Sequence, residues 1–121
     1  MSQIKTFEAA CKKLKLDPKK CLPDVKGIPK HHQEATIAHA KLVIIAEAIN
    51  DGWKPDWTNG NWDKYYPWFD MSSGSGLSCF GYVGRSSASA VGSRLCFRSA
   101  ELSKYAGTQF KKLYEQYFVL K

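Results

Sequence analysis

The sequence predicts an α+β fold: a small antiparallel three-stranded sheet packed against two longer helices, with a short helix at the N-terminus. Three observations carry that expectation. Residues 30–50 and 99–120 repeat apolar side chains at helical spacing. Three short runs between them, 65–71, 77–83 and 93–98, read as strands. The Ser/Gly-rich segments separating those runs are short, which favours a meander. The chain has 121 residues, 44% of them hydrophobic, which suits one domain with one core. Residues 1–30 form a basic helix and connector, and residues 31–121 form the core unit with an aromatic loop at 53–69.

Each element has its own justification. Ile4, Phe7, Ala10 or Cys11, and Leu14 give a helix over 4–14, ended by Asp17-Pro18. Pro18, Pro23, Gly27 and Pro29 make 17–29 a connector. Ala38, Leu42, Ile45 and Ile49 form one stripe, widened by Ile37, Ile44 and Ala48, so the 30–50 helix is central in the core. Pro29 starts it and Asn50-Asp51-Gly52 stops it. His32, Thr36, His39 and Asn50 fall on its other side and read as a solvated polar face. In the third strand Leu95 and Phe97 alternate with Arg94, Cys96 and Arg98. Ser99 caps the last helix, whose stripe runs Leu102, Ala106, Phe110, Leu113, Tyr117 and Leu120. Ile45, Phe97, Phe110 and Leu113 are expected in the core.

The segment 53–69 holds all four tryptophans, Trp53, Trp57, Trp62 and Trp68, and seven aromatic residues in 17. Pro55, Pro67 and Asn59-Gly60 exclude a regular helix there. Its rings either cover the core or present a contact surface. Trp57 and Trp68 are expected mainly in the core. Trp53 and Trp62 are candidate contact residues, and the Asn59-Gly60-Asn61 turn would lift Trp62 outward.

Charge is uneven along the chain. The net +7 divides into +5 over 1–30, −2 over 31–60, zero over 61–90 and +4 over 91–121. Basic ends favour an anionic partner. Lys12, Lys13, Lys19 and Lys20 lie in the first basic block. Arg85, Arg94 and Arg98 are the only arginines, all in or beside the Ser/Gly loops. A guanidinium donates in a planar fork and stacks on rings, which an ammonium does not. These seven cations with Trp53 and Trp62 form the candidate binding set. Exposed rings beside cations would make a stacking platform for single-stranded nucleic acid.

Nothing in the sequence gathers a catalytic set, and neither a cofactor nor a metal is expected. Asp51, Asp56, Asp63 and Asp70, with Lys64 nearby, are the only concentration of acids, and turn formation accounts for Asp51 and Asp56. Gly74-x-Gly76 and Gly81-x-x-Gly84 lack the context of a phosphate loop. Cys11, Cys21, Cys79 and Cys96 show no zinc-ligand spacing and read as buried thiols, with Cys79 and Cys96 the pair better placed to meet. The longest apolar run, Leu42–Ala46, is far too short to span a bilayer, and no signal-peptide centre opens the chain.

W-K-P-D-W at 53–57, K-Y-Y-P-W-F at 64–69, V-G-S-R-L-C-F-R-S at 91–99 and A-G-T-Q-F at 106–110 together resemble a family of small proteins encoded by phages, prophages and mobile elements of Bacteroidota. The likeness covers roughly positions 40–118 and brings no activity or functional residue with it. It implies an accessory protein of the bacterial host cytoplasm. Two uses fit: binding RNA or single-stranded DNA, or a host nucleoprotein; and inhibiting a defence system, for example as an anti-CRISPR protein on an RNA-guided effector. A minor virion or scaffold component is a third.

Overall fold

The computed structural model describes residues 4–53, 64–70, 78–85 and 93–118. Four helices dominate them: α1 (Phe7–Leu14), α2 (Lys30–Asn50), α3 (Ala100–Gln109) and α4 (Lys111–Phe118). Two strands, β1 (Lys64–Asp70) and β2 (Ser78–Arg85), pair antiparallel from Lys64–Arg85 to Asp70–Ser78, with an irregularity between Trp68 and Phe69.

The expected three-stranded sheet does not form among the described residues, and the fold is helical with one two-stranded ladder. The stretch read as a third strand curls into a turn of 3-10 helix at Ser93–Leu95. It then makes a single antiparallel bridge, Phe97 to Tyr65. The ladder goes no further because Ser93–Leu95 is helical on one side and Ser99 caps α3 on the other, and α2 holds the opposite edge of the segment. There the Asn50 side chain donates from Nδ2 to the Cys96 carbonyl (2.9 Å) and accepts from the Arg98 N–H at Oδ1 (3.1 Å). One side-chain amide thus pairs both backbone groups on the edge that faces away from Tyr65 and ties the segment to α2. Leu95, Cys96 and Phe97 are all buried while Arg94 and Arg98 are exposed, so the strict alternation read for a strand is absent.

The last helix is also corrected. The continuous helix expected over 99–120 is two helices, broken at Phe110, whose φ of −109° and ψ of 29° leave the helical region. Its N–H still donates to the Ala106 carbonyl (2.9 Å), and its own carbonyl accepts from Leu113 and Tyr114, restarting the chain as α4. Gly107 and Thr108, both weak helix formers, precede the break. The break lets α3 lie against both strands while α4 lies along α2. It also shifts the phase: Tyr114 is buried, and Leu113, expected in the core, is half-buried.

Helices α1 and α2 follow their sequence signals closely. Thr6 caps α1, its Oγ1 accepting from the Ala9 N–H at 3.0 Å. Ile4, Phe7, Ala10 and Cys11 pack into the core with Leu42, Ile45 and Ile49 of α2. Lys41 Nζ sits 5.4 Å from the Phe7 ring centroid, a cation–π contact across this packing. The stop of α1 comes earlier than Asp17-Pro18: Lys15 takes the left-handed conformation, and Leu16 donates back to the Cys11 carbonyl (2.8 Å). Asp17 instead opens the next turn, its Oδ1 accepting from Lys19 N–H and its carbonyl from Lys20 and Cys21. Pro29 precedes α2, and Asp51 and Gly52, both at positive φ, end it.

Candidate functional site

The C-terminal end of α2 is where pieces from distant parts of the chain meet. From α1, Lys13 Nζ donates to the Ala48 carbonyl (2.8 Å) and pairs with Asp51 Oδ1 (3.2 Å). Ala48 lies in the last turn of α2, whose carbonyls lack helical partners, and a cation there also meets the negative end of the helix dipole. Directly after the helix, the Trp53 N–H donates to the Asn50 carbonyl at 3.1 Å, and Trp53 is half-buried. From residues 95–98, the backbone docks on the Asn50 side chain. Phe97 in turn bridges Tyr65, and Tyr65 neighbours the Lys64–Arg85 register pair.

The described candidate residues lie on segments linked to this helix end. Lys12 and Lys13 occupy the last turn of α1. Arg94 and Arg98 flank the buried Leu95–Phe97 segment, and both are exposed. Arg85 ends β2 at the hairpin end nearest Phe97. Lys19 and Lys20, both exposed, sit on the turn after α1, which is tied to that helix through Cys21 and Cys11. Trp62 and Trp57 lie outside the described residues, as does the side chain of Trp68.

These cations do not stand alike. Lys13 is committed to structure: it joins α1 to the end of α2. Lys12, Lys19, Lys20, Arg94 and Arg98 carry exposed charges. Among the described residues of this end, Asp17, Glu47, Asp51 and Glu101 are acidic; Asp51 faces Lys13, and Asp17 shares the turn of Lys19 and Lys20. Lys64 is the register partner of Arg85, and the side chains of both lie outside the described residues.

No protein-family model, curated protein or solved structure matches the chain. The site is therefore read from its own chemistry. Among the described residues, no three His, Cys, Asp or Glu side chains gather as a metal centre would need. Of the acidic segment, Asp56 and Asp63 lie outside the described residues, as does the Asp70 side chain. No described helix is long and apolar enough to cross a membrane.

Three features were missed in the sequence. Asn50, placed on a solvated face, is buried and holds the 96–98 backbone. The face of His32, Thr36 and His39 is covered in part by α4. His39 meets the Tyr117 ring at 4.9 Å between centroids, and an open groove of about 370 Å³ runs past His32, Ala35, Thr36, His39 and Tyr117. Cys11 and Cys21, read only as buried thiols, lie with their sulfurs 3.8 Å apart. Cys96 is buried, and the Cys79 side chain is outside the described residues.

Proposed function

We propose that the chain is a non-enzymatic accessory protein, in the phage or mobile-element setting that its sequence resemblance implies, and that it binds nucleic acid or a nucleoprotein through a basic face at the C-terminal end of α2. One observation carries this reading. Cations separated by some 80 positions in sequence, Lys12 and Lys13 against Arg94 and Arg98, flank the same helix end. Polyanions reward such clustering, because each neutralised phosphate releases counterions. The arginines supply bidentate donors for phosphate oxygens. Lys19 and Lys20 extend the face along the turn after α1, and the half-buried Trp53 follows directly on the same helix end.

The test is binding of labelled single-stranded RNA and DNA, followed by fluorescence anisotropy from about 50 to 200 mM salt. An Arg94→Ala/Arg98→Ala variant should lose affinity well beyond a Lys104→Ala/Lys111→Ala control, which removes the same charge from α3 and α4. Equal losses in the two variants would leave charge alone as the cause and defeat the assigned face. No binding at the lowest salt would exclude direct recognition. Recovery of tagged protein from a bacterial host would then show whether a nuclease-resistant host protein is the partner.

A further inference from the structure

We propose that Cys11 and Cys21 form a dithiol modification site, in which Cys21 exchanges with small-molecule disulfides such as oxidised glutathione and Cys11 resolves the product into an intramolecular Cys11–Cys21 disulfide. The two sulfurs are already in contact at 3.8 Å, and neither is bridged. Closing the bond requires them to approach by roughly 1.8 Å, to the usual S–S length of about 2.05 Å. The local backbone is arranged for this. Lys15 at positive φ turns the chain back after α1, and Leu16 bonds to the Cys11 carbonyl. The Asp17 carbonyl then accepts from Lys20 and Cys21, which fixes Cys21 over α1.

Burial assigns the order of events. Cys11 is fully buried and Cys21 is half-buried, so an external disulfide reaches Cys21 first. The Cys21 thiolate attacks one sulfur of the small disulfide, forming a mixed disulfide and expelling one small thiol. Cys11 gives up its proton and attacks the Cys21 sulfur, expelling the second small thiol. Two protein thiols are oxidised, one external disulfide is reduced to two thiols, and no other oxidant is needed. Burial and the neighbouring Cys21 thiol hold the Cys11 thiol up at about 11, so it stays protonated until the mixed disulfide forms beside it. The product ties α1 to the turn that carries Lys19 and Lys20. The site stands independently of the nucleic-acid reading.

The experiment treats the intact 121-residue protein with oxidised glutathione, followed by tryptic peptide mapping without reduction. Peptides Thr6–Lys12 and Cys21–Lys26 should appear joined. The melting temperature should rise on the order of 5 to 15 °C, since a short loop is closed in the unfolded chain. Cys21→Ser should abolish both effects. Cys11→Ala should instead accumulate glutathione on Cys21, because nothing resolves it. Should Cys11→Ala fail to fold, the wild-type peptide map and Cys21→Ser suffice to decide. Stable glutathione on wild-type Cys21, a link from Cys21 to Cys79 or Cys96, or reaction only in denaturant would each overturn the proposal.

Discussion

Asn50 shows how much one polar side chain can settle. It is buried, its amide satisfies the Cys96 carbonyl and the Arg98 N–H, and its own carbonyl receives Trp53. Asn50→Ala would leave both 96–98 groups without their partner, at about 1 to 3 kcal/mol for each group that stays buried. Equilibrium denaturation should show that loss, and a change under about 0.5 kcal/mol would refute the role. The same variant should loosen Arg98, so it should also weaken any binding that depends on the arginines. Sequence could not reveal this. Asn, Asp and Gly at a helix end already explain themselves as a stop signal, and the partner lies 46 positions away. Cys11 offers a second test at this scale. Its thiol is raised from 9.0 to about 11 by burial and by Cys21. The folded state then holds the proton more tightly than the unfolded chain. That contribution is complete below pH 9 and is lost as pH rises towards about 11. Stability of the wild type should therefore fall more steeply over that window than that of Cys11→Ala, by on the order of 2 to 3 kcal/mol in total. Parallel pH profiles for the two proteins would refute it.

At the scale of elements, what could be read depended on whether the signal was local. Helix α2 matches its expected span because its stripe, its leading Pro29 and its Asn50-Asp51-Gly52 end all lie in one stretch of sequence. The cap of α3 was equally legible: Ser99 Oγ accepts from Leu102 N–H at 3.2 Å. Ser99→Ala should cost about 1 kcal/mol and Ser99→Asp should restore most of it, as denaturant midpoints would show. Failure of Asp to recover would mean that Ser99 acts by packing and not as a cap. By contrast, the break at Phe110 and the loss of the third strand were hidden. Phe110 continues the apolar period of the 99–120 stretch, so period alone predicts an unbroken helix. Its burial, with α3 on the hairpin and α4 on α2, decides otherwise. Arg94–Arg98 alternates as a strand would, yet Ser93–Leu95 turns into 3-10 helix and Asn50 ties 96–98 to α2. Both failures come from tertiary partners overriding a correct local pattern.

For the whole molecule, the consequence is that Lys13 of the first basic block and the Arg98 backbone of the last are both held at one end of α2. Composition made the two basic blocks legible, but the packing of α1 and of 95–98 on one end of α2 is what the proposed face rests on. The proposed face predicts a specific salt behaviour. With single-stranded nucleic acid, each cation lost from the contact should lower the slope of log affinity against log salt by about 0.7. Lys12→Ala/Lys19→Ala/Lys20→Ala and Arg94→Ala/Arg98→Ala should each reduce the slope, and the combined variant by the sum of the two. Lys13 must stay intact in this series, because removing it releases the Ala48 carbonyl and would mix folding into the binding signal. A strand long enough to cross the face should be needed for the full slope, and shortening it should erase the contribution of one block first. If the arginine variant alone leaves the slope unchanged on long strands, the 94–98 segment does not touch the polyanion. Lys12, Lys19 and Lys20 would then constitute the whole interface, and the convergence at α2 would serve only folding.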